Sequence, residues 1–134
     1  LLGADVAARV AQVTEQKYDA AGRWRPWRDR KEGYLEQLRT GTPEGAAISL
    51  ADKQHNLWTI NAALALDVDV FRDAEGRHGL SAGAEEQLWF HKAVFQASLR
   101  YEDARLVPMR EGLAKELDQF TGLTGQAPVD WSGL

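Results

Sequence analysis

Thr42-Pro43-Glu44-Gly45-Ala46-Ala47-Ile48-Ser49-Leu50-Ala51-Asp52-Lys53-Gln54-His55-Asn56-Leu57-Trp58-Thr59-Ile60 sets the architecture of this chain. Thr42 has the side chain of a helix N-cap and Pro43 suits a first helical position, so a helix opens here. From Ala46 to Leu66 nearly every other position is Ala, Ile, Leu or Trp. That predicts a helix running to about Leu66, apolar around most of its circumference and therefore buried. At about 100° per residue, Asp52, His55, Asn56 and Thr59 share one sector of it. An unpartnered neutral polar group costs roughly 2–7 kcal/mol to bury, and a charge costs more. The sector is therefore expected to be satisfied by a metal ion, by a bound polar ligand or by a buried hydrogen-bond network.

Working outward, Val6, Val10 and Val13 recur at helical spacing and predict an amphipathic helix from about Ala4 to Gln16. Asp19 to Trp27 reads as a loop in which Arg alternates with Trp. A second helix is expected from Arg28 to Leu38, with Tyr34, Leu35 and Leu38 inside. Beyond the central helix, Asp67 to Gly79 is turn-rich, with one helical turn around Val70 and Phe71. Ser81 is the expected N-cap of a long helix to about Arg100, with Leu88, Phe95 and Leu99 along its stripe and Trp89 beside it. Pro108 opens a last helix with an apolar stripe of Met109, Leu113, Leu117 and Phe120. Residues 122–134 read as an irregular tail. Nothing alternates with period 2 for long enough to make a strand. The expectation is a single all-α domain over residues 1–134.

At 134 residues with 44% hydrophobic content, the chain can bury a core of its own. A net charge of −4 argues against nonspecific attraction to nucleic acid or an anionic membrane, so neither is an expected partner. The absence of cysteine excludes disulfides, thiolate metal sites and cysteine nucleophiles. No run approaches ~20 apolar residues and no signal-peptide pattern opens the chain, so a cytoplasmic protein is expected. The start at Leu1-Leu2-Gly3, without Met and close to a helical pattern, is read as an upstream portion missing. There is no phosphate-binding glycine loop, Gly-x-Ser-x-Gly elbow or His-Glu-x-x-His motif.

Leu50-Ala51-Asp52-Lys53-Gln54-His55-Asn56-Leu57 resembles the last metal-ligand segment of HD-domain phosphohydrolases, especially the RelA/SpoT-type guanosine-polyphosphate hydrolases. Two upstream segments agree in order and approximate spacing. Residues 6–15 look like the family's helix ending in a Val-Thr pair, here Val13-Thr14. Residues 26–35 look like its Pro- and Arg-Lys-containing segment. More loosely, Gln87-Leu88-Trp89-Phe90 resembles the aromatic start of a later helix.

The resemblance implies an HD-like helical bundle and a divalent ion held by one His, a His-Asp doublet and a final Asp, matched here by Asp52. The ion implied is Mn²⁺ foremost, with Fe²⁺ or Zn²⁺ as alternatives. Asn56 matches a nucleotide-contacting position, and Arg30 and Lys31 match a basic stretch near the phosphates. Lys53 joins them as a further substrate-binding candidate. The implied substrate is a nucleotide or other phosphate or pyrophosphate ester, and guanosine polyphosphate is one form of it.

The chain departs from the pattern in several places. It contains no His-Asp doublet, so both upstream ligand segments and the catalytic acidic pair would precede Leu1 and no catalytic residue is assigned within it. Trp58 stands where many relatives carry Arg and Trp27 where some carry Lys, while Glu85 and Trp89 replace an Arg and a Tyr that contact the nucleotide. The alternative expectation is a catalytically inactive HD-like module serving binding or assembly, with a homodimer or a partner chain covering an apolar surface.

Plainer expectations stand beside these. Asp52 alone could pair with Lys53 or a nearby Arg. His55 is expected to hydrogen-bond a backbone group or a carboxylate, and Asn56 could brace a loop. The Arg23, Arg25, Arg28, Arg30, Lys31 run reads first as a solvated face whose cations stack on indoles. His78 is expected to be exposed, and His91 to be a packing or edge residue.

Overall fold

In the computed structural model the described residues are 3, 4, 6, 7, 10, 13–74 and 78–134. They form an all-α fold with four helices: α1 (Trp27–Thr40), α2 (Pro43–Ala65), α3 (Ala84–Ser98) and α4 (Val107–Thr124). Short 3₁₀ turns at Ala104–Leu106 and Trp131–Gly133 flank α4. Among the described residues there is no strand, and Tyr18 and Trp24 form an isolated antiparallel bridge. Among the described residues no helix is long and apolar enough to cross a membrane.

The expected first helix, Ala4 to Gln16, falls in part outside the described residues. Val13 packs against the core, but Val6 and Val10 are exposed and do not form an inner stripe with it.

The start of α2 follows from its sequence. Thr42 is extended and its side chain accepts a hydrogen bond from the Gly45 N–H at 3.2 Å, satisfying one of the free donors of the first turn. The far end of α4 is closed by Gly125 in the left-handed conformation (φ 73°), which an L side chain adopts only with strain.

α2 lies at the centre, with Leu50 and Leu57 fully buried among Leu35 and Leu38 of α1, Phe90 and Val94 of α3, and Leu113, Leu117 and Phe120 of α4. The approach of α4 to α2 is close at Gly112, where a Cβ would lie 2.6 Å from the Gln54 side-chain amide. Burial on α2 nevertheless covers one side only. Trp58 is 57% exposed, and Asp52, His55, Asn56 and Thr59 are exposed too. The expectation of a helix buried around most of its circumference is therefore overturned. The shared sector is real, but it faces outward.

The polar groups that α2 does bury are Ser49 and Asn61. Ser49 shares a hydrogen bond with the Tyr34 hydroxyl at 2.7 Å. Asn61 donates from Nδ2 to the Glu116 carbonyl and to its carboxylate, at 2.9 and 3.0 Å.

α3 departs from its expected face and start. Its buried side carries Phe90, Val94 and Ala97, whereas Leu88 and Phe95 are half-buried and Leu99 is exposed. At about 100° per residue the two stripes lie on nearly opposite sides of the helix, and Phe90 of the observed one packs edge-on against Tyr34. Gly83, not Ser81, occupies the N-cap, because the chain is already extended there. Val70 and Phe71 lie in a non-helical turn, with the Phe71 N–H bound to Asp69 Oδ1. The tail is anchored more firmly than its composition indicates. α4 continues to Thr124, and Trp131 packs on Phe95 (4.8 Å between centroids) and donates to Asp118 Oδ1 at 2.9 Å.

Leu113 is fully buried between α4 and α2. Leu113→Ala should lower unfolding stability by about 2–5 kcal/mol through the cavity it leaves, read as a lower urea midpoint at unchanged slope.

Candidate functional site

α1, α2 and the start of α3 enclose a cleft of about 540 Å³. Three residues singled out from the sequence meet there: Lys31 from α1, and Lys53 and Asn56 from α2. Trp27, Gln87, Phe90 and His91 also line it, as does His55 at the rim.

The Phe90 ring organises the interior. The Nζ atoms of Lys31 and Lys53 lie 4.9 and 5.6 Å from its centroid, and the His91 ring is 5.4 Å away, edge to face. Lys53 also sits 4.8 Å over the Tyr34 ring, and Lys31 lies 5.7 Å from Trp27. Both ammonium groups are thus held against aromatic faces whose quadrupole attracts them.

Neither lysine is fully solvated, with side chains 19% (Lys31) and 13% (Lys53) exposed. Burial pushes the Lys31 pKa down, the Glu15 carboxylate opposes that, and the charges of Lys53 and Arg30 add to the lowering. Glu15 accepts from Lys31 Nζ at 2.7 Å and from Arg30 at 3.2 Å. For Glu15 itself, burial acts to raise the pKa. The hydrogen bond and charge of Lys31, with Arg30 behind it, outweigh this and hold it below its usual value.

Arg30 does not line the cleft. It is buried, bonded to Glu15 and to the Arg25 carbonyl, and lies 4.7 Å over the Trp24 ring. Arg28 stacks at 3.3 Å on Trp89, and Arg25 bonds the carbonyls of Gln16 and Asp29. The basic run therefore matches the plainer reading only in part: Arg28 stacks on Trp89 and Arg30 on Trp24, but Arg30 is buried in an ion pair, Arg25 is tied to backbone carbonyls and Lys31 turns into the cleft.

Asp52 is the main correction. Its side chain is 55% exposed and accepts from Lys53 Nζ at 2.9 Å, so it is not enclosed by apolar neighbours. The single-sided burial of α2 is the cause. His55, expected to find a hydrogen-bond partner, instead stacks on Trp58 at 5.9 Å. Among the described residues no three His, Asp or Glu side chains converge as a metal would need. One exposed carboxylate does not make a cation cage, so a divalent ion at Asp52 requires ligands beyond those described.

His91, expected to be a packing or edge residue, is buried at 3% exposure and also lines the cleft, a place its sequence does not reveal. Its Nδ1 lies 2.8 Å from the Gln87 carbonyl, and a carbonyl can only accept, so Nδ1 carries the proton. Nε2 is then a bare acceptor, and it has no hydrogen-bond partner among the described residues. The only hint in the sequence is the one-turn spacing from Gln87, which says nothing of which side of α3 faces a cleft. His78 is fully exposed in its loop, as expected. Glu85 is exposed, and neither it nor Trp89 lines the cleft.

Compared with known protein families, curated proteins and solved structures, the chain matches none of them.

Burial lowers the His91 pKa to about 4, with Lys53 and Lys31 adding to the effect against the opposing Gln87 carbonyl and Asp52. The unfolded imidazole, near 6.5, binds a proton that the folded one refuses, so stability falls as pH drops from about 6.5 to about 4. The loss should be on the order of 3 kcal/mol at most. Denaturant titrations across that window should show the slope, and His91→Gln should flatten it.

Proposed function

We propose that the chain is an HD-type phosphohydrolase domain whose cleft receives the phosphate part of a nucleotide or other phosphate or pyrophosphate ester. One observation carries this reading. Lys31, Lys53 and Asn56, from two different helices, line the same cleft although each was singled out on sequence grounds alone. Two like charges brought into one partly dehydrated space repel each other, and a polyanion relieves that repulsion. Their aromatic backing fixes where the ammonium groups sit, so they meet a phosphate with little further ordering. Asn56 offers an amide able to donate to a phosphate oxygen or accept from a sugar or base. His55 and Thr59, both exposed, also line the cleft, on the same helix face that carries Asp52. By resemblance, Asp52 belongs to a divalent-metal centre on that side.

A second reading, an inactive helical module for binding or assembly, is favoured by the Asp52–Lys53 pair, which satisfies the carboxylate without any ion. Exposed Ile48 and Trp58 on α2 give that reading an apolar surface.

Calorimetric titration separates the two. With pyrophosphate as the probe, Lys31→Met and Lys53→Met should each weaken binding about tenfold, the loss expected for one charge-assisted contact. Asp52→Ala should leave metal-free pyrophosphate binding in place, because Asp52 does not line the cleft. If pyrophosphate does not bind with or without Mn²⁺, the assembly reading stands instead.

A further inference from the structure

The phosphate reading leaves one cleft group without a task, the buried acceptor at His91. A buried nitrogen lone pair with no partner costs free energy, which a donor entering the cleft would recover. Three kinds of visitor could enter the cleft. A cation is disfavoured, because Lys31 and Lys53 stand beside the same Phe90 ring that His91 contacts. An anion with only acceptor atoms would meet the Nε2 lone pair and be repelled. What fits is a molecule that is negative at one end and carries a hydroxyl or N–H at the other. His91, Lys31 and Lys53 line the same cleft, and the imidazole and both ammonium groups lie within 6 Å of the Phe90 centroid.

We propose that His91 Nε2 is a specificity-determining hydrogen-bond acceptor, selecting phosphate esters whose organic part bears a hydroxyl or N–H donor over phosphates that lack one. This rests on the phosphate reading of the cleft and adds what recognises the rest of the ligand. The Nδ1–H bond to Gln87 locks the tautomer, so the acceptor is preset before anything binds. Phe90 packs against the His91 ring, with 5.4 Å between centroids. The side chain is a positioning and recognition group and supplies no proton to a reaction.

The test uses two small probes, ribose 5-phosphate, which carries hydroxyl donors, and methyl phosphate, which carries none on its organic part. In ¹⁵N-labelled protein at neutral pH, the His91 ring should show the signature of a protonated Nδ1 and a bare Nε2. Ribose 5-phosphate should shift the Nε2 resonance and methyl phosphate should not. By titration, ribose 5-phosphate should bind about tenfold more tightly than methyl phosphate, and His91→Phe should abolish that preference while keeping methyl phosphate affinity. The resonance measurement needs no variant, so it decides the matter even if His91→Phe fails to fold. If both probes bind but Nε2 does not move, a resident water satisfies the nitrogen and only the role of His91 is overturned. If neither probe binds, the phosphate reading falls together with it.

Discussion

The central helix can bury only one side, and the arrangement of the rest follows from that. Leu50 and Leu57, with Ser49 and Asn61, commit α2 to the packing against α1, α3 and α4. Once that side is taken, helical geometry turns Asp52, His55 and Asn56 outward together. His55 and Asn56 become part of the wall of a cleft, and Asp52 lies outside it. An apolar composition around the whole helix did not translate into burial around the whole helix, because the described partners are too few to surround it. The exposed indole of Trp58, covered in part by the His55 ring, marks the same shortage.

The electrostatics of the cleft rest on a similar economy. Lys31 and Lys53 keep their charges while losing most of their water, and each is compensated twice, by a carboxylate and by aromatic faces. The two carboxylates differ. Glu15 is itself largely covered and shared between Lys31 and Arg30, so its pairing is tied to the folded structure, and removing either side would strand a buried charge. Asp52 is open to water, where a pair with its sequence neighbour contributes about 1 kcal/mol or less. Lys53 is therefore the more available of the two cations to an incoming anion. Lys31 is the more rigidly placed.

Most interior polar groups differ from the cleft groups, although the buried Asn61 Oδ1, like His91 Nε2, has no hydrogen-bond partner among the described residues. Ser49 and the Asn61 amide nitrogen are satisfied by partners on other helices and serve packing. His91 is satisfied on one nitrogen by its own helix and on the other by nothing among the described residues. A group of that kind has a packing role through its ring and an unspent bonding role through its lone pair. This is why His91, more than the exposed His55 or His78, bears on what the cleft holds.

The sequence by itself determined what depends on neighbours along the chain. Thr42-Pro43 starts α2, Leu113, Leu117 and Phe120 line one face of α4, and the lack of period-2 alternation makes the protein all-α, because capping and side-chain periodicity are local properties. It also placed Lys31, Lys53 and Asn56 among the candidates, through a short pattern of residue types. The tertiary structure alone decided which side of each helix meets another. It moved the buried stripe of α3 to Phe90, Val94 and Ala97, tied Arg30 to Glu15, left Asp52 in water and brought His91 to the cleft. Those outcomes depend on the summed burial of several helices packed at once, and the rotation of a helix about its own axis, which its sequence alone does not fix, decides whether a polar side chain faces solvent, a salt bridge or a ligand.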